Sequence, residues 1–279
     1  MIDLHSHSTV SDGSDRPGAL VEEAAAAGVS ALALTDHDIL DGLAEAATAA
    51  DRVGIRLVRG CEVSCQVDRG TMHVVILFLD RPTGPLHDRL AEVRRARENR
   101  NDEIVARLVE AGFEITVDEV LARSGDGTVG RPHIAAVLLD RGYVGSIEEA
   151  FDRWLARGRP AYVERLRMTP EETIDLAHRS GAVAVLAHPF SLDRHPEELA
   201  PFVGELAEMG LDAMEVEYAG YQPEERAWLG EVADRHGLAP SGGSDYHGSY
   251  KPGLALGRGR GDLSVPDDWL DALEDRRPR

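Results

Sequence analysis

The sequence opens with Met1-Ile2-Asp3-Leu4-His5-Ser6-His7-Ser8-Thr9-Val10-Ser11-Asp12, and the rest of the chain is organised around this stretch. Its first half predicts a short strand, in which the side-chain period of two places His5 and His7 on one face and Leu4 on the other. The pleat then holds two imidazole nitrogens at a fixed separation, a common way to bind a metal ion. Asp12, just past the next turn, could add an oxygen ligand. The alternative is that two histidines occur by chance in a polar segment. This stretch alone does not decide between a metal-binding pair and a chance occurrence.

Short apolar runs with ligand-type residues at their ends alternate with helical segments along most of the chain. The run Ala31–Leu34 leads into Thr35-Asp36-His37-Asp38, and the strand predicted at 56–58 leads into Gly60-Cys61-Glu62. Further strands are predicted at 73–78, 182–187, 213–217 and 240–243, with His73, His188, Asp245 and His247 at or near their ends. This alternation predicts an α/β fold with a mainly parallel sheet.

The segment 86–168 has a different pattern, in which helices are predicted without a strong strand. A long Arg-rich helix is expected over 86–111, and shorter helices over 117–124, 133–141 and 147–156. Strand units resume directly afterwards. We therefore expect a barrel-like domain, formed by residues 1–85 and 169–279, with a mainly helical insertion at 86–168.

The charge and composition of the chain limit its partners and its location. A formal net charge of -20 argues against binding to long or duplex nucleic acid and to an anionic membrane surface. The insertion is less acidic than the rest, so a small phosphorylated ligand in a local basic pocket remains possible. No apolar run is long enough to predict a membrane span, and no signal-peptide pattern is visible. Two cysteines, Cys61 and Cys65, match neither a disulfide framework nor a zinc ribbon, so reduced thiols and a cytoplasmic protein are expected.

Nine potential metal ligands lie at or near predicted strand ends, where α/β folds collect functional residues. They are His5, His7, Asp12, His37, Glu62, His73, His188, Asp245 and His247. Imidazole mixed with carboxylate, without thiolate, suits Zn, Mn or Fe. Nine ligands are too many for one ion, so we expect two or three divalent ions with Glu62 as the bridging carboxylate. A hydrogen-bonded or exposed imidazole is the better explanation of any single histidine, but a poor explanation of all nine residues together.

The chain resembles the polymerase and histidinol phosphatase (PHP) domain family in residues 1–85 and about 170–260. The motifs that carry the resemblance are His5-x-His7, Thr35-Asp36-His37-Asp38, Gly60-x-Glu62, His188-Pro189 and Ser244-Asp245-x-His247. The resemblance implies a distorted (β/α)7 barrel that holds up to three metals. The inserted stretches Gly130-Arg131-Pro132-His133-Ile134-Ala135 and Gly158-Arg159-Pro160-Ala161-Tyr162-Val163 resemble a nucleotide-acting subgroup. Its members are described as 3',5'-nucleotide bisphosphate phosphatases and as 5'-to-3' exonucleases on short RNA.

The resemblance also implies a division of the ligands. By it, His5, His7, Glu62 and Asp245 hold one metal, Asp12, His37 and His247 hold a second, and Glu62 bridges to a third carried by His73 and His188. Two cations held by these residues would acidify a bridging water to hydroxide for in-line attack on phosphorus, and they would neutralise charge on the phosphoryl oxygens.

The phosphate also needs a partner outside the metal cluster. Arg131 is the first candidate because its planar guanidinium matches phosphate oxygens and because it lies in the less acidic insertion; His133 and Lys251 come second. Arg131 could instead pair with a carboxylate, and Lys251, the only lysine, could be an ordinary solvated residue. Cys61 and Cys65 are expected to be packing residues. Tyr246 could stack on a base or fill the mouth of the barrel.

Three functions are compatible with these residues: a nucleotide phosphoesterase, a phosphatase for a non-nucleotide monoester such as histidinol phosphate, and a non-catalytic PHP scaffold. A scaffold is expected to lack ligands, and this set is complete. The helical insertion with its basic residues favours a nucleotide or a short oligonucleotide as substrate, because it would offer a wall for base and sugar. The sequence does not predict the oligomeric state, the identity of the metal or the leaving-group acid.

Overall fold

The computed structural model describes residues 1–124 and 129–278 and confirms the predicted α/β class. The strands are β1 (Ile2–Asp3), β2 (Ala31–Leu34), β3 (Arg56–Cys65), β4 (Met72–Leu77), β5 (Val183–Leu186), β6 (Ala213–Tyr218) and β7 (Ala239–Gly243). The helices are α1 (Pro17–Ala26), α2 (Leu43–Val53), α3 (Pro85–Glu110), α4 (Val117–Ser124), α5 (Arg131–Asp140), α6 (Ile147–Ala150), α7 (Pro170–Arg179), α8 (Pro196–Glu208), α9 (Pro223–Arg235) and α10 (Asp268–Glu274).

The seven strands form one sheet in chain order, and this sheet closes almost completely into a barrel. Neighbouring strands are parallel except at β4, which runs antiparallel to both β3 and β5. The first and last strands meet where the Leu4 N–H donates to the Gly242 carbonyl at 3.2 Å. Past the strand ends the contact continues, with the Asp245 N–H donating to the His5 carbonyl at 2.9 Å. The barrel therefore joins residues from the two ends of the sequence.

The first strand is shorter than the sequence predicts. Regular pairing stops at Asp3, because the Ser6 N–H donates to the Thr35 hydroxyl at 3.1 Å rather than to a backbone carbonyl. The Thr35 N–H donates back to the Ser6 carbonyl at 2.9 Å, so the segment remains extended. His5 and His7 consequently stay on one side, with their Nε2 atoms 3.1 Å apart.

The third strand is longer than predicted and changes neighbours along its length. Residues 56–59 pair with β2, and residues 60–65 pair with β4. Glu62 therefore lies inside a strand rather than after one, where its N–H donates to the Thr35 carbonyl at 3.0 Å. An isolated parallel bridge also places it opposite His37.

The chain divides into two compact units, Met1–Leu90 with Arg167–Arg279, and Ala91–Leu166. The barrel interior is filled by small and branched side chains such as Ala33, Val185 and Ala213. Helix α1 begins with Pro17 at its first position, where a missing N–H costs nothing, and α2 ends at Gly54, whose φ of 76° suits glycine.

The second unit, Ala91–Leu166, has its own hydrophobic core. It is formed by residues from α3, α4 and α5 together with Ala150, Leu155 and Ala161. A π-helical turn, Phe151–Leu155, follows α6, where the sequence predicts a continuous helix to 156. Within the described ranges of the chain, no helix combines the length and the apolar character that a membrane crossing requires.

Candidate metal centre

The structure brings all nine predicted ligands together at one edge of the barrel. Most of them follow the carboxyl ends of parallel strands, which meet at this edge. His73 instead lies near the start of β4, and it reaches the same edge because that strand runs in the opposite direction. The donor atoms form four overlapping groups, in each of which all atoms lie within 4.8 Å of one another.

His5, His7, Glu62 and Asp245 are the most deeply buried of the nine side chains. The two histidine Nε2 atoms are 3.1 Å apart, and they lie 3.2 and 3.1 Å from Glu62 Oε2. Asp245 Oδ1 lies 3.6 and 3.3 Å from the same nitrogens. Four ligands around a metal at about 2.1 Å in a tetrahedral site would be about 3.4 Å apart. The observed separations match this spacing.

A second group surrounds the other oxygen of Glu62. Oε1 lies 2.9 Å from His73 Nδ1 and 2.9 Å from His188 Nε2, and these two nitrogens are 3.4 Å apart. The two oxygens of Glu62 thus face different sets of histidines. This geometry suits a carboxylate that bridges two cations.

The third group is the most open. Asp12, whose side chain is 54% exposed, lies 3.2 Å from His247 Nε2 through Oδ1 and 3.6 Å from His37 Nε2 through Oδ2. His37 also connects this group to the buried one, because its Nδ1 is 3.1 Å from Glu62 Oε2. The cluster therefore has a closed end at His5 and His7 and an accessible end at Asp12.

Hydrogen bonds behind the cluster fix how its imidazoles are protonated. The Nδ1–H of His5 donates to Glu215 Oε1 at 2.8 Å, so its Nε2 lone pair faces the cluster. The Ser191 hydroxyl donates to the Thr71 carbonyl and is therefore left to accept from His188 Nδ1, which directs the His188 Nε2 lone pair toward Glu62. A nitrogen that faces a carboxylate needs a proton on it or a metal cation between the two atoms, and although burial acts the other way, the neighbouring carboxylates raise the pKa of both His5 and His188.

Two buried nitrogens support the same conclusion. The Nδ1 atoms of His7 and His37 have no hydrogen-bond partner in the part of the chain that the structure describes. Unpaired buried polar atoms are costly, and each of these nitrogens has a carboxylate oxygen nearby with which it could share a cation: Asp12 Oδ1 lies 3.6 Å from His7 Nδ1, and Glu62 Oε2 lies 3.1 Å from His37 Nδ1. The donor set and its geometry therefore fit divalent cations.

Burial and neighbouring charges act against each other in the cluster. Burial alone lowers the pKa of His7, but Asp245 and Glu62 outweigh it and raise this pKa to about 9. Burial favours the neutral form of Glu62, yet the surrounding imidazoles, His37 foremost, hold its pKa well below the ordinary value. At His37 burial dominates and lowers the pKa to about 4. A cation that binds at His7 must displace its proton.

Backbone geometry is unusual at two of the candidate ligands. His188 has a φ of 27° and Asp245 a φ of 52°, in the left-handed region that such residues rarely adopt. Gly243 permits a close approach nearby, because a Cβ on it would lie 2.5 Å from the His5 Cβ. Strained backbone held in place by its surroundings is typical of functional sites.

Glu215 is the main site residue that the sequence motifs do not indicate. Besides holding His5, its other oxygen accepts the His188 N–H at 2.6 Å, so one carboxylate positions two candidate ligands. A signal was present in β6, because a glutamate between Met214 and Val216 in a buried strand needs a polar partner inside the barrel.

Asp245 is held from behind by two further residues. Its Oδ2 accepts from the Tyr218 hydroxyl at 2.7 Å and from Lys251 Nζ at 2.6 Å, which leaves Oδ1 for the cluster. Lys251 is therefore not an ordinary solvated residue, although its predicted contact with phosphate stays a prediction. Tyr246 is buried, packs in the core beside α1 and donates its hydroxyl to Glu23 at 3.0 Å. Of the two predicted roles for Tyr246, the structure favours filling space.

The insertion candidates lie in the second unit. The guanidinium of Arg131 donates to the Leu155 carbonyl at 2.9 Å and lies over the rings of Phe151 and Tyr162, 5.6 and 5.4 Å from their centroids. Among the described residues it has no carboxylate partner. His133 Nδ1 accepts the Gly130 N–H at 3.1 Å, so the neutral ring carries its proton on Nε2.

Both cysteines are buried and free. Cys65 Sγ lies 3.3 Å from the Thr173 hydroxyl. Burial raises the pKa of Cys65 to about 12, and it also raises that of Cys61, so both remain protonated thiols at neutral pH. These surroundings agree with packing residues.

The role of Glu215 can be tested directly. Glu215→Gln keeps the shape of the side chain but removes the charge that holds the Nδ1 proton of His5. We expect metal affinity to fall about 10- to 100-fold, the usual cost of losing an outer partner of a ligand. Metal titration of the apo-protein measures it. Glu217→Gln is the matched control, since Glu217 pairs with Arg226 at 2.9 Å and should leave affinity unchanged. Equal affinities in the two variants would contradict this role.

Comparison with known proteins agrees with the geometry. The sequence profile described as the PHP domain matches residues 3–158. The 5'-3' exoribonuclease Rnm of Escherichia coli is 36% identical over 92% of this chain and 88% of its own length. The 3',5'-nucleoside bisphosphate phosphatase of Chromobacterium violaceum is 34% identical over 92% of this chain and 90% of its own.

A solved structure extends the similarity to the whole fold. A protein of Bifidobacterium adolescentis, described as a metal-dependent phosphoesterase, superposes with a TM-score of 0.75 at 31% identity. The match covers 99% of this chain and 96% of that one, so it includes both units.

Proposed function

The chain belongs to the PHP domain family, and from that premise we propose that it is a metal-dependent phosphoesterase that hydrolyses phosphate esters of nucleotides. Nucleoside 3',5'-bisphosphates and short 5'-phosphorylated oligonucleotides are the substrates that its relatives' activities and its own residues favour. An enzyme is favoured over a non-catalytic scaffold, because all nine ligand positions carry a histidine or a carboxylate.

The arrangement of Glu62 is the observation that carries the proposal. Its Oε2 faces His5 and His7. Its Oε1 faces His73 of β4 and His188, which lies just after β5. In the proposed division, Glu62 joins His5, His7 and Asp245 in one site and His73 and His188 in another. Asp12, His37 and His247 form the third. Divalent ions bound there would lower the pKa of water and neutralise phosphoryl charge.

The residues of the chain contribute positioning and access. Glu215 and Ser191 keep the imidazole lone pairs directed into the cluster, and Tyr218 and Lys251 keep one oxygen of Asp245 turned toward it. The exposure of Asp12 leaves the third group open, and we propose that the scissile phosphate enters there. A substrate that approaches from this side displaces solvent and leaves the buried ligands undisturbed.

The experiment that tests the function is a substrate panel. Protein reconstituted separately with Mn, Fe or Zn is assayed against nucleoside bisphosphates, mononucleotides, short oligonucleotides and histidinol phosphate. Release of phosphate or of mononucleotides from at least one nucleotide ester supports the proposal. Hydrolysis of histidinol phosphate alone would identify a different phosphatase, and no hydrolysis with any metal would reject the enzymatic function.

Arg131 is proposed to bind a substrate phosphate. Arg131→Ala is expected to lower kcat/KM by an amount that corresponds to about 2 to 4 kcal/mol of transition-state stabilisation, because the phosphate loses a charged partner. The metal content should stay the same. Steady-state kinetics with elemental analysis of the same preparations measures both.

Arg153→Ala is the matched control, since Arg153 is an exposed arginine of the same unit that pairs with Glu149 at 2.6 Å. Because Arg131 also packs on two rings, circular dichroism should first establish that the variant is folded. A folded Arg131→Ala protein with parental kcat/KM would show that the insertion does not bind phosphate through this residue.

A further inference from the structure

A continuous series of aromatic rings extends outward from the candidate metal centre. The Tyr218 ring lies 5.6 Å from the His188 ring, and the Tyr221 ring lies 4.8 Å from Tyr218. Phe190 follows at 5.0 Å from Tyr221, and Trp228 at 6.0 Å from Phe190 with an interplanar angle of 20°. We call Tyr218, Tyr221, Phe190 and Trp228 the aromatic wall. All four residues are half-buried.

Four different segments build the wall. Phe190 lies in the short 3-10 turn Pro189–Leu192 that follows β5, Tyr218 ends β6, Tyr221 lies in the loop between β6 and α9, and Trp228 lies on α9. The 3-10 turn directly follows His188, and β6 also carries Glu215. The wall and the candidate ligands are therefore on the same edge of the barrel and in the same compact unit.

Hydrogen bonds hold the wall in a fixed position. The Phe190 N–H donates to the Tyr221 hydroxyl at 3.2 Å, and the Tyr221 N–H donates to the Tyr218 carbonyl at 3.2 Å. The Tyr218 hydroxyl is bound to Asp245. The rings are thus ordered before any ligand arrives, which lowers the entropy that a stacked ligand must lose.

We propose that the aromatic wall is a binding site for the nucleobase of the substrate. This inference rests on the proposed function, since it places the base next to a phosphate held at the metal centre. Stacking on ordered rings tolerates every base, because each base has a π face. The wall would therefore select substrates that carry a base without choosing strongly among the four.

A matched pair of substrates tests the base site. In the wild type, kcat/KM for 2'-deoxyadenosine 3',5'-bisphosphate is expected to exceed that for the abasic 1,2-dideoxyribose 3,5-bisphosphate by about 5- to 150-fold, the range for one base stacked on an aromatic side chain. The double variant Phe190→Leu with Tyr221→Leu should reduce this ratio to near one. Its kcat/KM for the abasic substrate should stay at the wild-type value.

Four further variants separate stacking from structure. Tyr221→Phe keeps the ring but loses the hydroxyl that accepts the Phe190 N–H, so the ratio should fall less than in Tyr221→Leu. Phe202→Leu, on α8 with Arg194 over its ring at 4.3 Å, is the matched control and should keep the wild-type ratio. The single variants Phe190→Leu and Tyr221→Leu should each lower the ratio, so the test stands if the double variant does not fold. A wild-type ratio near one, or a ratio that the leucine variants leave unchanged, overturns the base site.

An equilibrium measurement distinguishes failure of this inference from failure of the proposed function. Calorimetry compares binding of 2'-deoxyadenosine 5'-monophosphate and 1,2-dideoxyribose 5-phosphate to metal-loaded protein. If the wild type hydrolyses neither bisphosphate but binds the nucleotide more tightly, and the leucine variants lose that preference, the base site stands and the proposed function fails. Equal binding of the two ligands overturns the base site whatever the activity.

Discussion

Glu62→Gln is expected to lose bound metal and hydrolysis together, and the loss should exceed the ~10- to 100-fold cost of removing an outer partner. The reason is the position of Glu62, whose two oxygens lie 2.9 to 3.2 Å from the nitrogens of His5, His7, His73 and His188. A glutamine amide offers only one oxygen, and its NH2 group, which has no lone pair available for a metal ion, would face the other cation. Two of the three proposed sites are therefore damaged by one substitution.

Elemental analysis and kinetics on the same preparations measure this effect. Glu62→Gln should lower the metal content by more than one ion per chain, whereas His73→Ala and His37→Ala should each cost one. Chelation of the wild-type protein should abolish hydrolysis, and added Mn, Fe or Zn should restore it. Glu217→Gln serves as the control for a glutamate outside the centre. Active protein that contains no metal would reject the metal-dependent mechanism.

A nucleoside 3',5'-bisphosphate, or a short oligonucleotide with a 5'-phosphate, is expected to have a much higher kcat/KM than the matching mononucleotide. A substrate with two phosphates can use the one that does not react to position the one that does. Arg131 is the proposed partner of the phosphate that is not hydrolysed. If so, Arg131→Ala should lower kcat/KM for the bisphosphate toward that for the monophosphate and change the monophosphate little.

Side-by-side kinetics measure this preference on adenosine 3',5'-bisphosphate (pAp), AMP, a 5'-phosphorylated trinucleotide, histidinol phosphate and a long RNA duplex. The net charge of -20 should make the duplex a poor substrate, because most of its phosphates would be repelled. A higher kcat/KM for AMP or histidinol phosphate than for pAp would overturn the choice of substrate but would leave the metal ligands unaffected.

The fold class and the convergence of the nine residues could be predicted because both depend on local patterns. A histidine or carboxylate after an apolar run is visible in the sequence, and parallel strands bring such positions to one edge. The antiparallel direction of β4 could not be predicted, because the residues of an apolar strand do not indicate whether it runs parallel or antiparallel to its neighbours. His73 nevertheless lies beside the other eight residues, because the start of an antiparallel strand is at the same edge as the ends of its parallel neighbours. The role of the nine residues as metal ligands stays a prediction.

Other features depend on long-range contacts that periodicity does not contain. Regular pairing of β1 ends early because a hydroxyl 29 positions away, on Thr35, accepts a backbone N–H. Glu215 contacts His5 across 210 positions, and Tyr218 contacts Asp245 across 27. The aromatic wall is assembled in the same way, from residues on a 3-10 turn, a strand, a loop and a helix. Such partners become visible only when the barrel is closed.

The pairing of the first strand with the last has a consequence for how the protein is made. Asp3 and Ser244, joined by hydrogen bonds of 2.9 and 2.6 Å, are 241 positions apart. At the usual 5 to 20 residues per second, a ribosome needs roughly 10 to 50 s to add that length of chain. Throughout this interval His5 and His7 have been synthesised but Asp245 and His247 have not. The nascent chain therefore carries imidazoles without their later partners, and the site can acquire its full set of ligands only after His247 has been added.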